Sequence, residues 1–411
     1  MGKPIELRYG ATRIRLPLPA GTARLSIQEP RQTVSETVFR NDLEAALKPH
    51  TFSNCRVAVV VADKTRLCAY DRYLPVLLKQ LEANGANPDK LACYIAYGSH
   101  PAQSDADSLS AYGDIFSIYR FVHHDCKNDS LFALLGHTTR GTPIRLRKDI
   151  LAADFVITFG AISHHYFAGY GGGRKLLFPG LGQREAIYHN HGLFLDRQRR
   201  TLASGCQPGR LTGNPLAEDL AEIESCRPAD LAIHGILDSR GRVCRLLVGS
   251  GSDHFHGACA SHARNCEVTV VQGYDMVLAS CGGFPKDINF IQAHKAVHHA
   301  AAFVNDGGTL IILAQCRDGI GSTTFLPWFG MGWDAAFEQL GQRYQGNGGT
   351  ALAMMQKTRR IRICMLADMG AARCRTIGVE KIAAADIAPM VRRNSGSLAA
   401  ILNASLLVRR C

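Results

Sequence analysis

One stretch of the chain concentrates side chains that do chemistry. Residues 162–192, ISHHYFAGYGGGRKLLFPGLGQREAIYHNHG, hold four histidines, a run of glycines and a single lysine. The stretch follows DFVITFG (154–160), an apolar run that reads as a buried strand. Ligands in α/β sheets collect beyond the carboxyl ends of strands, so the placement favours a site. Imidazoles exchange protons near neutrality and bind metals. A lysine kept among apolar and glycine neighbours can lose its proton and become a nucleophile or covalent anchor. Known motifs fit poorly. A phosphate-cradling loop needs Gly immediately before its Lys and Ser or Thr after it, where this chain has Arg174 and Leu176. The dinucleotide fingerprint would need Gly at Arg174, and H-E-x-x-H is absent. His189 and His191 are two apart, so they cannot share a helical face and at most one points inward. Plainer roles stay open: His164 and His165 as hydrogen-bonded loop residues, and Lys175 as a surface lysine.

Three further segments bear on the same chemistry. VADKTR (61–66) sets Asp63 and Arg66 just past a strand, and YGSH (97–100) sets His100 at the end of the next. FIQAHKAVHHA (290–300) carries Gln292 and Lys295 three apart, hence on one helical face. Individually these could be a helix cap, a turn residue and a solvated charge. Independent strand ends converging on one crevice favour the functional reading.

The elements that must position these residues are short apolar runs read as buried strands. They fall at 56–63, 90–98, 154–160, 267–273, 275–280, 308–315 and 360–368. Segments with helical spacing lie among them: DRYLPVLLKQLEANGAN, INFIQAHKAVHHAAAFVNDG and GTALAMMQKTR. The first should stop at Gly85 and the second at Asn305–Gly308, where left-handed caps are expected. This alternation predicts an α/β protein of two lobes, each with a largely parallel sheet flanked by helices, and the site in the crevice between them. The polar, small-residue stretch 249–265 reads as the boundary. It gives an N-terminal α/β domain over 1–262, carrying Lys175 and His191, and a C-terminal α/β domain over 263–397 that closes over the substrate. The tail 398–411 has helical spacing and is expected to form a helix packing back on the first domain.

Composition bounds the rest. The chain has 411 residues, and 47 Lys+Arg against 35 Asp+Glu give a formal net charge of +12. Basic residues are dispersed; the densest cluster, Arg197, Arg199 and Arg200, is too short for a nucleic-acid stripe. No run is long and apolar enough to span a bilayer, and the first residues lack a signal peptide's apolar middle. A soluble, cytoplasmic protein is expected, with no nucleic-acid or membrane partner. Its 14 cysteines form no C-x-x-C pair and fall singly in apolar runs, the pattern of buried reduced thiols.

In order along the chain stand D-x-x-R (Asp63, Arg66), G-x-H (Gly98 to His100), His165 ten residues before Lys175, His191, GNP (213–215) and Q-x-x-K (Gln292, Lys295). This set resembles the nickel-dependent lactate racemase family, whose members use a nickel–pincer nucleotide. The resemblance spans roughly residues 60–300. It implies a cofactor, nickel pyridinium-3,5-bisthiocarboxylic acid mononucleotide, joined to Lys175 through a thioamide, with His191 completing a roughly square-planar Ni(II) site. It implies that His100 and His165 face the two sides of the substrate as acid and base. Arg66 and Lys295 would hold the substrate carboxylate, with Gln292 and Asp63 assisting. The cofactor's phosphate would lie near Gly171, Gly172, Gly173 and Arg174. The implied activity is racemisation or epimerisation of a 2-hydroxy acid by hydride transfer through a transient 2-keto acid, after maturation by cofactor-making enzymes. Pro101 follows His100 where many relatives have a basic residue, so lactate, another 2-hydroxy acid and a sugar acid all stay open as substrate. The competing readings are a conventional metal-dependent lyase or hydrolase using the His cluster alone, and a non-catalytic binder of anionic metabolites.

Overall fold

The computed structural model describes residues 3–410, and the chain divides into two units. A mid-chain unit comprises Glu29–Leu193 and Gly205–Ala263; a terminal unit comprises the chain up to Gln28, Phe194–Ser204 and the chain from Arg264 onward. Both are α/β, as the alternation predicts, and every run read as a strand overlaps one.

The mid-chain unit is built on a six-stranded sheet. Its order across the sheet is Val243–Gly249, Leu231–Leu237, Phe155–Ala161, Val57–Ala62, Leu91–Ala96 and Arg120–His123. All neighbours pair in parallel except the first two, which are antiparallel. VAVVVA and LACYIA are buried along their whole length, as strands covered on both faces must be. Helix Tyr70–Ala83 buries Tyr70, Tyr73, Leu74, Leu77, Leu78 and Leu81, an apolar stripe at helical spacing that joins the same core as the strands. Each such side chain contributes roughly 1.5–3 kcal/mol by leaving water. The helix closes at Asn84–Gly85, with Gly85 in the left-handed region as expected.

The terminal unit has an all-parallel six-stranded sheet. Its order is Glu380–Ile382, Arg362–Leu366, Val304–Leu313, Tyr274–Ser280, Leu398–Ile401 and Ala23–Leu25. The structure differs from expectation at four points. Residues 398–410 form no helix: Leu398–Ile401 is an inner strand of this sheet, and Val408–Arg410 pairs with Glu267–Thr269. A short apolar run such as LAAI carries no period that separates a buried strand from a buried helix. The tail therefore belongs with residues 264–397, and the first 28 residues join it there rather than in a 1–262 domain. Their hairpin, Ile5–Tyr9 against Thr12–Leu16, alternates inward Ile5 and Leu7 into a core shared with Leu278, Ile311 and Ala400. The expected boundary stretch is mostly a helix, Gly251–Cys266, and the division falls in its last turn. Asn305–Gly308 lies within strand Val304–Leu313, after helix Phe290–Ala301 has already stopped.

Every described cysteine is a free thiol, most of them buried. Among the described residues no helix is long and apolar enough to cross a membrane.

One buried group makes this unit sensitive to pH. Lys357 is held at about 7 by burial and then by Arg360, while its Nζ donates to the Ala353 carbonyl at 2.7 Å. The unfolded chain keeps the proton up to lysine's ordinary 10.5, so the fold gains stability as pH rises from about 7 to about 10.5. Nearby His294 and His298 are pushed well below 6.5 by burial, so a further loss sets in as pH falls below 6.5. Lys357→Met should raise stability at pH 7 by roughly 2–4 kcal/mol and flatten the rise above it. Urea unfolding at pH 7 and pH 9.5 measures both effects.

Candidate active site

Three parallel neighbours set the site. Ala62 lies level with Ala96, and Val61 with Phe159, so the carboxyl ends of these strands form one edge. From that edge emerge Asp63, the turn to His100, and the segment that reaches His165 and Lys175. Buried tyrosines fix the first of these ends. The Ala62 amide donates to Tyr70 Oη (2.9 Å), which donates to the Phe159 carbonyl (2.8 Å), and Tyr112 Oη donates to the Ala62 carbonyl (2.8 Å).

Asp63 is 3 % exposed and organises its surroundings. One carboxylate oxygen accepts from the Thr65 amide at 2.8 Å and the Thr65 hydroxyl at 2.5 Å. The other meets His100 Nδ1 at 3.2 Å and the Arg66 guanidinium at 3.4 Å. Burial alone would raise its pKa, but the His100 hydrogen bond, the Arg66 charge and the Thr65 hydroxyl outweigh it and hold the carboxyl at about 2. Asp63 is therefore ionised at any working pH, and both His100 and Arg66 are oriented by it.

Lys175 stands in the short turn Gly173–Leu176. Burial lowers its amine to about 7, assisted by the charges of Arg66 and Arg174. His191, in the last turn of helix Arg184–Gly192, is lowered to about 3 by burial and then by Lys175 and His100. Its Nδ1 donates to the Ile187 carbonyl at 2.8 Å, which puts the ring's lone pair on Nε2. His189, two residues earlier, instead pairs its Nδ1 with the Thr142 hydroxyl at 3.0 Å.

Phe167 ties the group together. Its ring lies 4.6 Å from the His165 ring, 5.2 Å from the His191 ring and 5.8 Å from Lys175 Nζ. The structure thus brings Asp63, Arg66, His100, His165, Lys175 and His191 into one neighbourhood. His164 turns elsewhere, its ring 5.0 Å from Tyr170 and 4.8 Å from His262.

The glycine turn is explained by the chain's own packing. Gly172 has φ +79, and a Cβ there would stand 2.2 Å from the Ala161 carbonyl oxygen. Gly173 has φ +52, and a Cβ there would meet the Phe255 ring at 2.5 Å. Gly171 is less constrained, with Ser163 Oγ at 3.1 Å. Gly172→Ala should therefore destabilise the fold by about 2–4 kcal/mol, measured by urea unfolding of the purified variant. Arg174 is likewise engaged within the fold, its guanidinium 5.2 Å over the Phe255 ring and in electrostatic contact with Glu224.

Gln292 and Lys295 stand in the terminal unit on helix Phe290–Ala301, where Lys295 Nζ donates to Gln292 Oε1 at 3.0 Å. Asn289 caps this helix by accepting the Gln292 amide at 3.0 Å. Buried Asp287 holds the preceding loop through the Gly10 and Gln315 amides at 2.8 and 3.2 Å.

The lactate racemase N-terminal domain model matches residues 9–203, and the lactate racemase C-terminal domain model matches residues 269–339. Together they cover more than half of the chain. The chain belongs to the lactate racemase family. It is therefore an isomerase of the racemase type. Lactate racemase from Thermoanaerobacterium thermosaccharolyticum is 27% identical over 346 residues, which are 79% of this chain and 77% of that protein. Lactate racemase from Lactiplantibacillus plantarum is 28% identical over 274 residues, 66% of this chain and 62% of the relative. The solved lactate racemase apoprotein from T. thermosaccharolyticum shares the fold over the whole of both chains, with a TM-score of 0.87 at 23% identity. A protein from Thermotoga maritima follows at a TM-score of 0.68 and 14% identity, covering 93% of this chain and all of that one.

Two residues of this lactate racemase family member escaped the sequence reading as site-builders. Nothing in residue type or spacing marks Phe167; only its place between two histidines and the lysine separates it from other phenylalanines. Asn214 was noticed only within GNP. It is fully buried, caps helix Pro215–Cys226 by accepting the Ala217 amide at 3.2 Å, and donates to the Phe167 carbonyl at 3.0 Å.

Proposed function

We propose that the chain racemises or epimerises a 2-hydroxy acid with a nickel–pincer nucleotide held by Lys175 and His191. The observation that carries this reading is the pair itself. Lys175 offers an amine that is substantially neutral at physiological pH, and His191 offers an Nε2 lone pair fixed by the Ile187 carbonyl. A neutral amine suits attachment to a thiocarboxyl carbon, and imidazole suits a borderline metal such as Ni(II). No group of three or more His, Cys, Asp or Glu among the described residues could hold a metal ion, which fits a cofactor that brings its own donors.

When bound, the cofactor would supply hydride-acceptor chemistry for the substrate's C2 hydrogen, avoiding a high-energy carbanion. The chain's residues do the rest. His100 or His165 takes the hydroxyl proton, and the other returns a proton to the oxygen on the opposite face. Arg66, aimed by Asp63, binds the carboxylate; the family resemblance also gives Gln292 and Lys295 a part in substrate binding. Gly171, Gly172 and Gly173, with Arg174, would face the cofactor's phosphate through the turn's backbone N–H groups.

The substrate is lactate, as the relatives' names suggest, or a related 2-hydroxy or sugar acid, because Pro101 removes a basic neighbour of His100. The protein is assigned to the cytoplasm, with cofactor-making enzymes as its maturation partners and no nucleic-acid or membrane partner. The test is a panel of enantiopure 2-hydroxy acids given to holoenzyme and followed by loss of optical activity. At least one member should racemise. Retention of configuration across the panel, by protein carrying cofactor, would contradict the reading.

A further inference from the structure

We propose that the fold holds its two candidate acid–base imidazoles in opposite tautomers, with the Ala168 amide as the group that fixes His165. His100 Nδ1 lies 3.2 Å from an Asp63 carboxylate oxygen. Asp63 is ionised, so it can only accept, and Nδ1 must carry the hydrogen. The lone pair of neutral His100 is then on Nε2. At His165 the partner has the opposite character: the Ala168 amide reaches His165 Nδ1 at 3.2 Å, and a backbone N–H can only donate. Nδ1 must therefore be the acceptor, and the hydrogen of neutral His165 is on Nε2.

This asymmetry gives the two rings different starting roles. The catalytic consequence rests on the racemase reading above. A substrate enantiomer whose hydroxyl faces His100 meets a lone pair ready to receive the proton. An enantiomer whose hydroxyl faces His165 meets an N–H instead. For His165 to act as the base, its proton must move from Nε2 to Nδ1, and the Ala168 hydrogen bond must break. His100 is thus set as the proton acceptor. Neutral His165 presents only a hydrogen-bond donor and must first gain a proton at Nδ1, losing the Ala168 bond, before it can give one up. Asp63 and the Ala168 amide are the positioning groups. Enantiomers have equal free energies, so kcat/KM is the same in both directions. The asymmetry instead separates kcat and KM together, by about five-fold for one neutral hydrogen bond.

The test is a long-range proton–nitrogen correlation spectrum of the full chain labelled with ¹⁵N-histidine. It is recorded at about pH 8.5, above histidine's ordinary range. His100→Gln and His165→Gln assign the signals. His100 should show a protonated Nδ1 with a pyridine-type Nε2, and His165 the reverse. The same tautomer at both rings would overturn the proposal. Ala168→Pro removes the N–H, and His165 should then become a mixture of tautomers while His100 stays unchanged. An unchanged His165 in that variant would remove the role given to Ala168. Should the proline variant not fold, the wild-type spectrum still decides. With holoenzyme, kcat should differ between the two enantiomers, and equal values would remove the division of labour. Failure of the racemase reading shows separately, as absent loss of optical activity with the tautomer pattern intact.

Discussion

Lys175→Ala is expected to abolish racemisation, lowering turnover by at least about 1,000-fold, and to leave the protein without bound cofactor. The loss should come without unfolding. The turn is held by its backbone: the Lys175 amide donates to the Gly172 carbonyl at 3.1 Å, and the Gly180 amide donates to the Lys175 carbonyl at 2.9 Å. Removing an amine that burial holds at about 7 also removes a cost of folding at pH 7, so thermal stability should stay level or rise. Lys175→Arg should not rescue activity, because a guanidinium cannot shed its proton to become a nucleophile. Turnover, thermal unfolding and intact mass on the same preparations separate these outcomes. Activity retained in Lys175→Ala would contradict the covalent anchor.

The second large effect is expected at the two facing histidines. His100→Ala and His165→Ala should each lower kcat by about 100- to 10,000-fold, the range usual for a positioned general acid or base. Both should keep the Lys175 adduct, because the turn that carries it has its own backbone hydrogen bonds. His100 touches Asp63 through one ring nitrogen, and its side chain is 50 % exposed, so its loss should cost no more than about 1–2 kcal/mol of stability, from the hydrogen bond to the buried carboxylate. His191→Ala differs in kind: the organic adduct should persist while nickel content falls. Measuring kcat, adduct mass and nickel on each variant distinguishes proton transfer from cofactor retention. Near-normal turnover in either His100→Ala or His165→Ala would remove the two-base scheme.

The grouping of the candidate side chains was more legible in the sequence than the domain borders. Asp63, His100 and His165 could be placed because each follows a strand whose apolar run is unmistakable, and parallel neighbours share one carboxyl edge. Lys175 and His191 stood out by residue type in a glycine and apolar setting. What the sequence could not convey was tertiary. LAAI at 398–401 lies inside the terminal unit's sheet, yet four small apolar residues have no period to announce it. The alternation of Ile5 and Leu7 announces a strand but not which core it enters. Gly172 and Gly173 suggested room for a ligand, whereas their missing side chains first make room for Ala161 and Phe255. Phe167 and Asn214 have ordinary roles along the chain, and only folding sets one between His165, His191 and Lys175 and the other beneath it.

Lys175 is expected to carry the cofactor covalently. The direct measurement is mass spectrometry of the intact protein and its Lys175 peptide after co-production with cofactor-making enzymes. Racemising preparations should carry an added mass on Lys175 that is absent from protein produced alone. Unmodified Lys175 in protein that still racemises its substrate would contradict the account.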